Sequence, residues 1–280
     1  MKWQGRAGSG NIEDRRGMGM GLPIGGGIGG LVLLLLFSAL TGQNPVDLIN
    51  NGGTTSDQSV GTTGVRENDA QTQFISVVLK DTEDVWTEVL EEHGMRYRPP
   101  VLVLFTQATQ SACGVGESAM GPFYCPQDQK VYLDLSFFHD LAERFGAPGE
   151  FAQAYVVAHE VGHHVQTLLG LTQKVSAARA RAGEGGANAL SVRTELQADC
   201  YAGVWGYFAA KRQLLEPGDA ESGLRAAAAI GDDRLQRQAQ GRVVPESFTH
   251  GSSEQRVSWL RRGMESGHIE SCDTFSAGTN

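Results

Sequence analysis

The spacing of two histidines constrains this chain more than any other feature it carries. Residues 154–166 read AYVVAHEVGHHVQ, with His159 and His163 four positions apart in an apolar run. Four residues is just over one helical turn, so both imidazoles share a face only if this segment is a helix. Val156, Val157, Val161 and Val165 surround the pair and give such a helix surface to bury. Glu160 is offset from His159 by about 100°. It cannot share their seat, but it can lean over a metal held by the two rings and take a proton from a bound water. With 7 His in the whole chain, an HExxH arrangement is rare by chance.

A catalytic zinc takes three protein ligands and keeps one position for water. The third ligand has three possible sources. A histidine shortly downstream is absent, because after His164 the next is His250. A cysteine is available in principle, although the four cysteines read as paired. The remaining source is a carboxylate on a second helix. RTELQADCYAG, residues 193–203, offers Glu195 and Asp199, again four apart. Glu195 is the candidate ligand. Asp199, one turn on, is placed to accept the other N–H of a ligand histidine and so fix its tautomer. His164 points elsewhere on its helix and is not assigned to the metal. A donor opposite the metal is also needed to steady an oxyanion. His250 and Arg256 in SFTHGSSEQR are the best candidates, with Tyr155 and Tyr201 weaker ones. Asp232-Asp233 reads as a helix cap.

The coarse pattern is α+β. Phe74, Val78, Val85 and Val89 mark a helix from Asp69 to about Glu92. VLVLF (101–105) and KVYLDLSFF (130–138) read as strands, with the 130–135 strand a candidate edge for pairing with an extended peptide. Beyond Pro148 the chain reads as helices: 149–169 capped by Gly170, 188–212, 219–240 with a break near Gly231, and 252–266 opened by a Ser252-x-x-Gln255 capping box. The plan is a small N-terminal sheet followed by a mainly helical bundle.

Residues 18–40, MGMGLPIGGGIGGLVLLLLFSAL, contain no charge, and about 20 apolar residues span a bilayer. Basic residues precede the stretch. The expectation is a transmembrane anchor at 18–40, with a cleaved signal peptide as the rival reading, a cytoplasmic N-terminus at 1–17, a flexible linker at 41–69 and a domain at 70–280 outside the cytoplasmic membrane, periplasmic or extracellular. A net charge of −9 argues against nucleic acid as a partner. In an oxidising compartment the even set Cys113, Cys125, Cys200 and Cys272 predicts two disulfides. Three connectivities exist. Cys113–Cys125 is favoured because it closes a short Gly- and Pro-containing loop, which leaves Cys200–Cys272 to tie a helix to the C-terminal tail.

These motifs together resemble a family: the bacterial membrane-anchored neutral zinc metallopeptidases. The likeness runs from MKWQGRAGSGNIEDRRG through ACG…GPFYCP, VYLDLSFF, FAQAYVVAHEVGHHVQ, ELQADCYAGVW and IGDDRLQ to FTHGSSEQR. It implies a zincin-like fold and a site similar to that of gluzincins, with His159, His163 and Glu195 on Zn2+ and Glu160 as base. It also implies Asp199 as orienter and a late His250…Arg256 pair. The resulting expectation is a zinc-dependent endopeptidase acting on peptide or protein substrates. The rival readings are a non-catalytic, zinc-stabilised binding module of the envelope and a zinc amidase acting on cell-wall material. Oligomeric state is not legible.

Overall fold

A computed structural model describes residues 1–17, 62–63 and 69–276. Strands β1 (Ile12–Asp14), β2 (Thr62–Thr63), β3 (Val101–Phe105), β6 (Phe123–Cys125) and β7 (Lys130–Asp134) form one sheet in the order β2-β1-β3-β7-β6. A separate hairpin joins β4 (Ala108–Ser111) and β5 (Gly114–Glu117). The helices are α1 (Ala70–Glu92), α2 (Ser136–Glu143), α3 (Glu150–Leu168), α4 (Leu171–Arg179), α5 (Glu184–Lys211), α6 (Asp219–Ala229), α7 (Asp232–Gln240) and α8 (Ser253–Ser266). The α+β plan therefore holds, with a small sheet and a mostly helical body.

The sheet is parallel at its centre, β1 with β3 and β3 with β7. Parallel strands are covered on both faces, which is why VLVLF is apolar throughout. Leu102, Leu104, Val131 and Leu133 face the helical core, and Val103, Phe105 and Tyr132 form a second cluster on the reverse face. The α1 helix opens at Asp69, whose carboxylate accepts from the Thr72 amide. The capping box of α8 is present as expected. Helix α3 ends before Gly170 in the left-handed region, and the long helix expected over 219–240 breaks at Ile230-Gly231.

Four expectations need correction. The strand expected over 130–138 stops at Asp134. Its carboxylate accepts from the Ser136 amide at 2.9 Å and the Gln107 amide at 2.8 Å, and Phe138 and Leu141, three apart, bury one face of α2. The edge strand on this side is β6, because β7 lies between β3 and β6. The linker expected over 41–69 ends early, since Thr62–Thr63 already pairs with β1 and Asp69 caps α1. Its remaining residues, 41–61 and 64–68, lie outside the described residues, as does the anchor expected at 18–40. Among the described residues no helix is long and apolar enough to cross a membrane.

The fourth correction concerns residues 1–17, expected on the far side of a membrane from the domain. They are part of the same body. Strand β1 lies between β2 and β3 with Ile12 buried. The Ser9 hydroxyl and Asn11 amide donate to Glu83 at 2.6 and 2.8 Å. Trp3 donates to Glu150 at 2.8 Å and packs edge-on to Phe74. The polar composition of this segment conceals the fit, because its partners lie at distant positions in the chain.

Candidate metal centre

The candidate metal-ligating motif sits in the middle of α3, where Val157, Val161 and Val165 are buried. Helix α5 crosses it closely. A Cβ added at Gly162 would lie 3.0 Å from the Ala198 carbonyl oxygen, so the glycine between the two histidines permits the approach. That crossing brings Glu195 to the imidazoles. Glu195 Oε2 is 3.1 Å from His159 Nε2, and Oε1 is 3.5 Å from His163 Nε2. The three candidate ligand atoms lie within 4.8 Å of one another.

The opposite ring nitrogens are held. His159 Nδ1 is 2.9 Å from Asp199 Oδ1 and His163 Nδ1 is 2.9 Å from Gln166 Oε1. Each histidine therefore has its Nδ1–H engaged and its Nε2 turned toward Glu195, which is the donor set a zinc ion takes. Gln166 is anchored in turn, donating to the Thr194 carbonyl at 2.7 Å and to Gln197 at 3.1 Å. The sequence reading missed Gln166, although its i+3 position from His163 was the available signal.

Asp199 is fully buried. Tyr155 donates its hydroxyl to it at 2.6 Å, and Arg256 holds it through Nε at 2.8 Å and Nη2 at 2.9 Å. This corrects the expectation for Arg256. Its guanidinium is 2% exposed and also donates to the Ile230 carbonyl, so it positions Asp199 and is not a free donor toward an oxyanion. Tyr155 is committed to the same network.

His250 is half exposed. Its Nδ1 is 3.1 Å from Asp232 Oδ1, while Asp232 Oδ2 accepts the amides of Thr249, His250 and Gly251 at 2.7, 2.6 and 3.1 Å. Asp232, read from sequence as a cap, thus fixes the loop that presents His250. Asp233 serves the capping role toward Ser253.

The charged groups at the site interact strongly with one another. Burial opposes protonation of His159, but Asp199 and Glu195 outweigh it and push the imidazole up to about 10. Burial would raise Glu195, yet the two histidines hold it well below the ordinary carboxylate range. Glu160 is buried, and desolvation raises its pKa. For His250 the Asp232 hydrogen bond raises the pKa and burial opposes it.

These residues line one cleft of about 680 Å³. His159, Glu160, His163, Glu195 and His250 border it, and Phe123 and Tyr124 of strand β6 also line it. His164 ties β6 to α3. Its Nδ1 is 3.1 Å from the Tyr124 hydroxyl and its Nε2 is 2.6 Å from the Arg98 carbonyl. Burial lowers its pKa to about 4, so the ring is neutral. The disulfides Cys113–Cys125 and Cys200–Cys272 are both formed, in the pairing favoured from loop length.

The sequence model of a family described as "Putative neutral zinc metallopeptidase" matches residues 1–275. The chain belongs to that family. The family's ion is Zn2+, and the His159–His163–Glu195 set fits it. The metallopeptidase family match includes residues 1–17, which agrees with their place in the sheet. Among its relatives, the uncharacterized protein YpfJ of Escherichia coli (strain K12) is 49% identical over 98% of this chain and 99% of its own length. The uncharacterized protein Mb2605 of Mycobacterium bovis is 43% identical over 84% of this chain and 81% of its own length. No solved structure matches the chain.

Proposed function

We propose that the cleft is the active site of a zinc-dependent endopeptidase. The observation that carries the reading is the convergence of His159 Nε2, His163 Nε2 and Glu195 in an open cleft beside the buried Glu160. Held by His159, His163 and Glu195, a zinc ion would lower the pKa of a bound water toward about 7 and would polarise the scissile carbonyl. Glu160 takes the proton of the attacking water and delivers it to the amide nitrogen as the C–N bond breaks. Its desolvated position favours this exchange, because a raised carboxylate pKa makes it a better proton acceptor. His250, directed by Asp232, donates to the oxyanion. An extended substrate runs beside β6, whose outer edge pairs with no further strand among the described residues. The two disulfides support an oxidising compartment outside the cytoplasmic membrane, with the uncharged segment 18–40 as the contact with that membrane.

Glu160→Gln keeps the size of the side chain and removes the base. Elemental analysis should find its zinc unchanged, while cleavage of a fluorescence-quenched peptide library falls roughly 10²–10⁴-fold. A variant that cleaves at the native rate removes Glu160 from the mechanism. If the native protein holds zinc but cleaves no member of the library, a binding module gains ground, and release of amide-linked fragments from cell-wall material identifies an amidase.

A further inference from the structure

Two consecutive histidines of α3 face different ways. Neighbouring residues on a helix are about 100° apart, so while His163 Nε2 turns to Glu195, His164 turns to the sheet. His164 is buried, and both of its ring nitrogens are engaged. Nε2 lies 2.6 Å from the Arg98 carbonyl, shortly before β3, and Nδ1 lies 3.1 Å from the hydroxyl of Tyr124 in β6. A carbonyl oxygen only accepts, so Nε2 carries the hydrogen. The neutral ring leaves Nδ1 as an acceptor, and Tyr124 donates to it. Tyr97 and Tyr124 meet the ring edge-on, with centroids 5.8 and 5.5 Å away. The Thr167 hydroxyl, on the same helix, also reaches Tyr124. A candidate metal ligand and a tie to β6 are therefore adjacent residues of one helix.

Strand β6 has other ties, but they lead elsewhere. It pairs with β7 over three residues, Phe123 stacks on Tyr132, and Cys125 is bonded to Cys113. Those contacts join β6 to the sheet and to the β4–β5 hairpin. The bond from Tyr124 to His164 joins it to α3. We infer that His164 is a positioning residue: through Tyr124 it sets the distance between β6 and the metal-ligating face of its own helix, and so governs substrate binding and not the chemical step. The inference rests on the peptidase reading, with β6 as the strand beside which the substrate lies. Phe123 and Tyr124 line the cleft together with His159, Glu160 and His163. A β6 that drifts from α3 widens the span a peptide must bridge. The ligand set is left as it was, because Asp199 and Gln166 hold the two imidazoles independently of β6. A loss of this kind raises KM and spares kcat.

Two amide side chains separate the two bonds of the ring. Asn places its oxygen near Nδ1 and can still accept from Tyr124. Gln places its amide near Nε2 and can still donate to Arg98. With a peptide that the native protein cleaves, His164→Gln and Tyr124→Phe should each raise KM about 2–10-fold, the worth of one hydrogen bond, at native kcat and zinc content. His164→Asn should keep KM close to native. In the double variant, His164→Gln should add nothing to Tyr124→Phe, because both act through one bond. Native KM in both single variants, additive effects in the double variant, or rescue by Gln in place of Asn overturns the inference. Loss of zinc from His164→Gln overturns it too, since the ring then acts on His163 and not on β6. Amide exchange over Phe123–Cys125, read by mass spectrometry, needs no turnover. It should quicken in His164→Gln and Tyr124→Phe and stay native in His164→Asn. A native protein that cleaves no peptide defeats the peptidase reading and the substrate part of the inference with it. Unchanged exchange in His164→Gln and Tyr124→Phe is a separate failure, and shows that His164 does not hold β6.

Discussion

Asp232 accepts from His250, and if His250 serves as the proposed donor, the effect is readable in pH. The hydrogen bond that His250 donates to Asp232 raises the His250 pKa; burial and Arg256 oppose it, and Glu195 adds to it. A raised folded-state value means that the protonated donor is present at low pH and is lost as pH rises through that value. Asp232→Asn removes the charge, so the alkaline limb of kcat/KM should move to lower pH. An unmoved limb removes His250 from the reaction. On the metal's other flank, Gln166 holds His163 Nδ1. Partners of this kind are worth 10–100-fold in metal affinity, so Gln166→Ala should raise the zinc Kd by about that factor in a chelator competition. An unchanged Kd shows that His163 is oriented by packing alone.

At the scale of elements, the site is a product of one helix crossing. Helix α3 supplies both imidazoles and α5 supplies both carboxylates, and the distance between them is set at Gly162 against Ala198. Adding a methyl group there pushes the helices apart. Gly162→Ala should destabilise the fold by about 1–3 kcal/mol, as overpacking of a close contact does, and should weaken zinc more than Gly185→Ala, which meets open space. Equal zinc affinity in the two variants shows that the crossing tolerates the methyl group and is not what seats Glu195. Helix α8 approaches α5 through a second close contact, Gly203 against Leu260 and Gly263 against Cys200. That approach brings Arg256 to Asp199, which is why a residue 57 positions away in sequence completes the histidine's support.

Across the whole molecule, the covalent ties differ in reach. Cys200–Cys272 spans 72 residues and Cys113–Cys125 spans 12. On the chain-entropy account the longer loop contributes about 4 kcal/mol and the shorter about 3 kcal/mol. The longer tie also orders the C-terminal tail, where Gln197 donates to the Cys272 carbonyl and Thr274 to the Arg193 carbonyl. Replacing Cys200 and Cys272 by serine should lower Tm by roughly 8–16 °C in calorimetry, more than the Cys113/Cys125 double variant. The reverse order shows that the wall of the cleft, not the tail, limits stability.

The sequence by itself determined what is periodic or local. His159, Glu160, His163, Glu195 and Asp199 were legible because a helix repeats every 3.6 residues and puts residues four apart on one face. The Ser252 capping box and the short disulfide loop were legible for similar reasons, since each is set within a few neighbouring residues. The tertiary structure alone decided what joins distant segments. It placed β1 in the sheet, turned Arg256 from a donor into a support for Asp199, and gave Asp232 the His250 loop. Those outcomes depend on backbone pairing and on buried polar groups whose partners lie tens to hundreds of residues away. A polar residue looks the same in sequence whether it faces water or a buried partner, so only the folded chain separates the two.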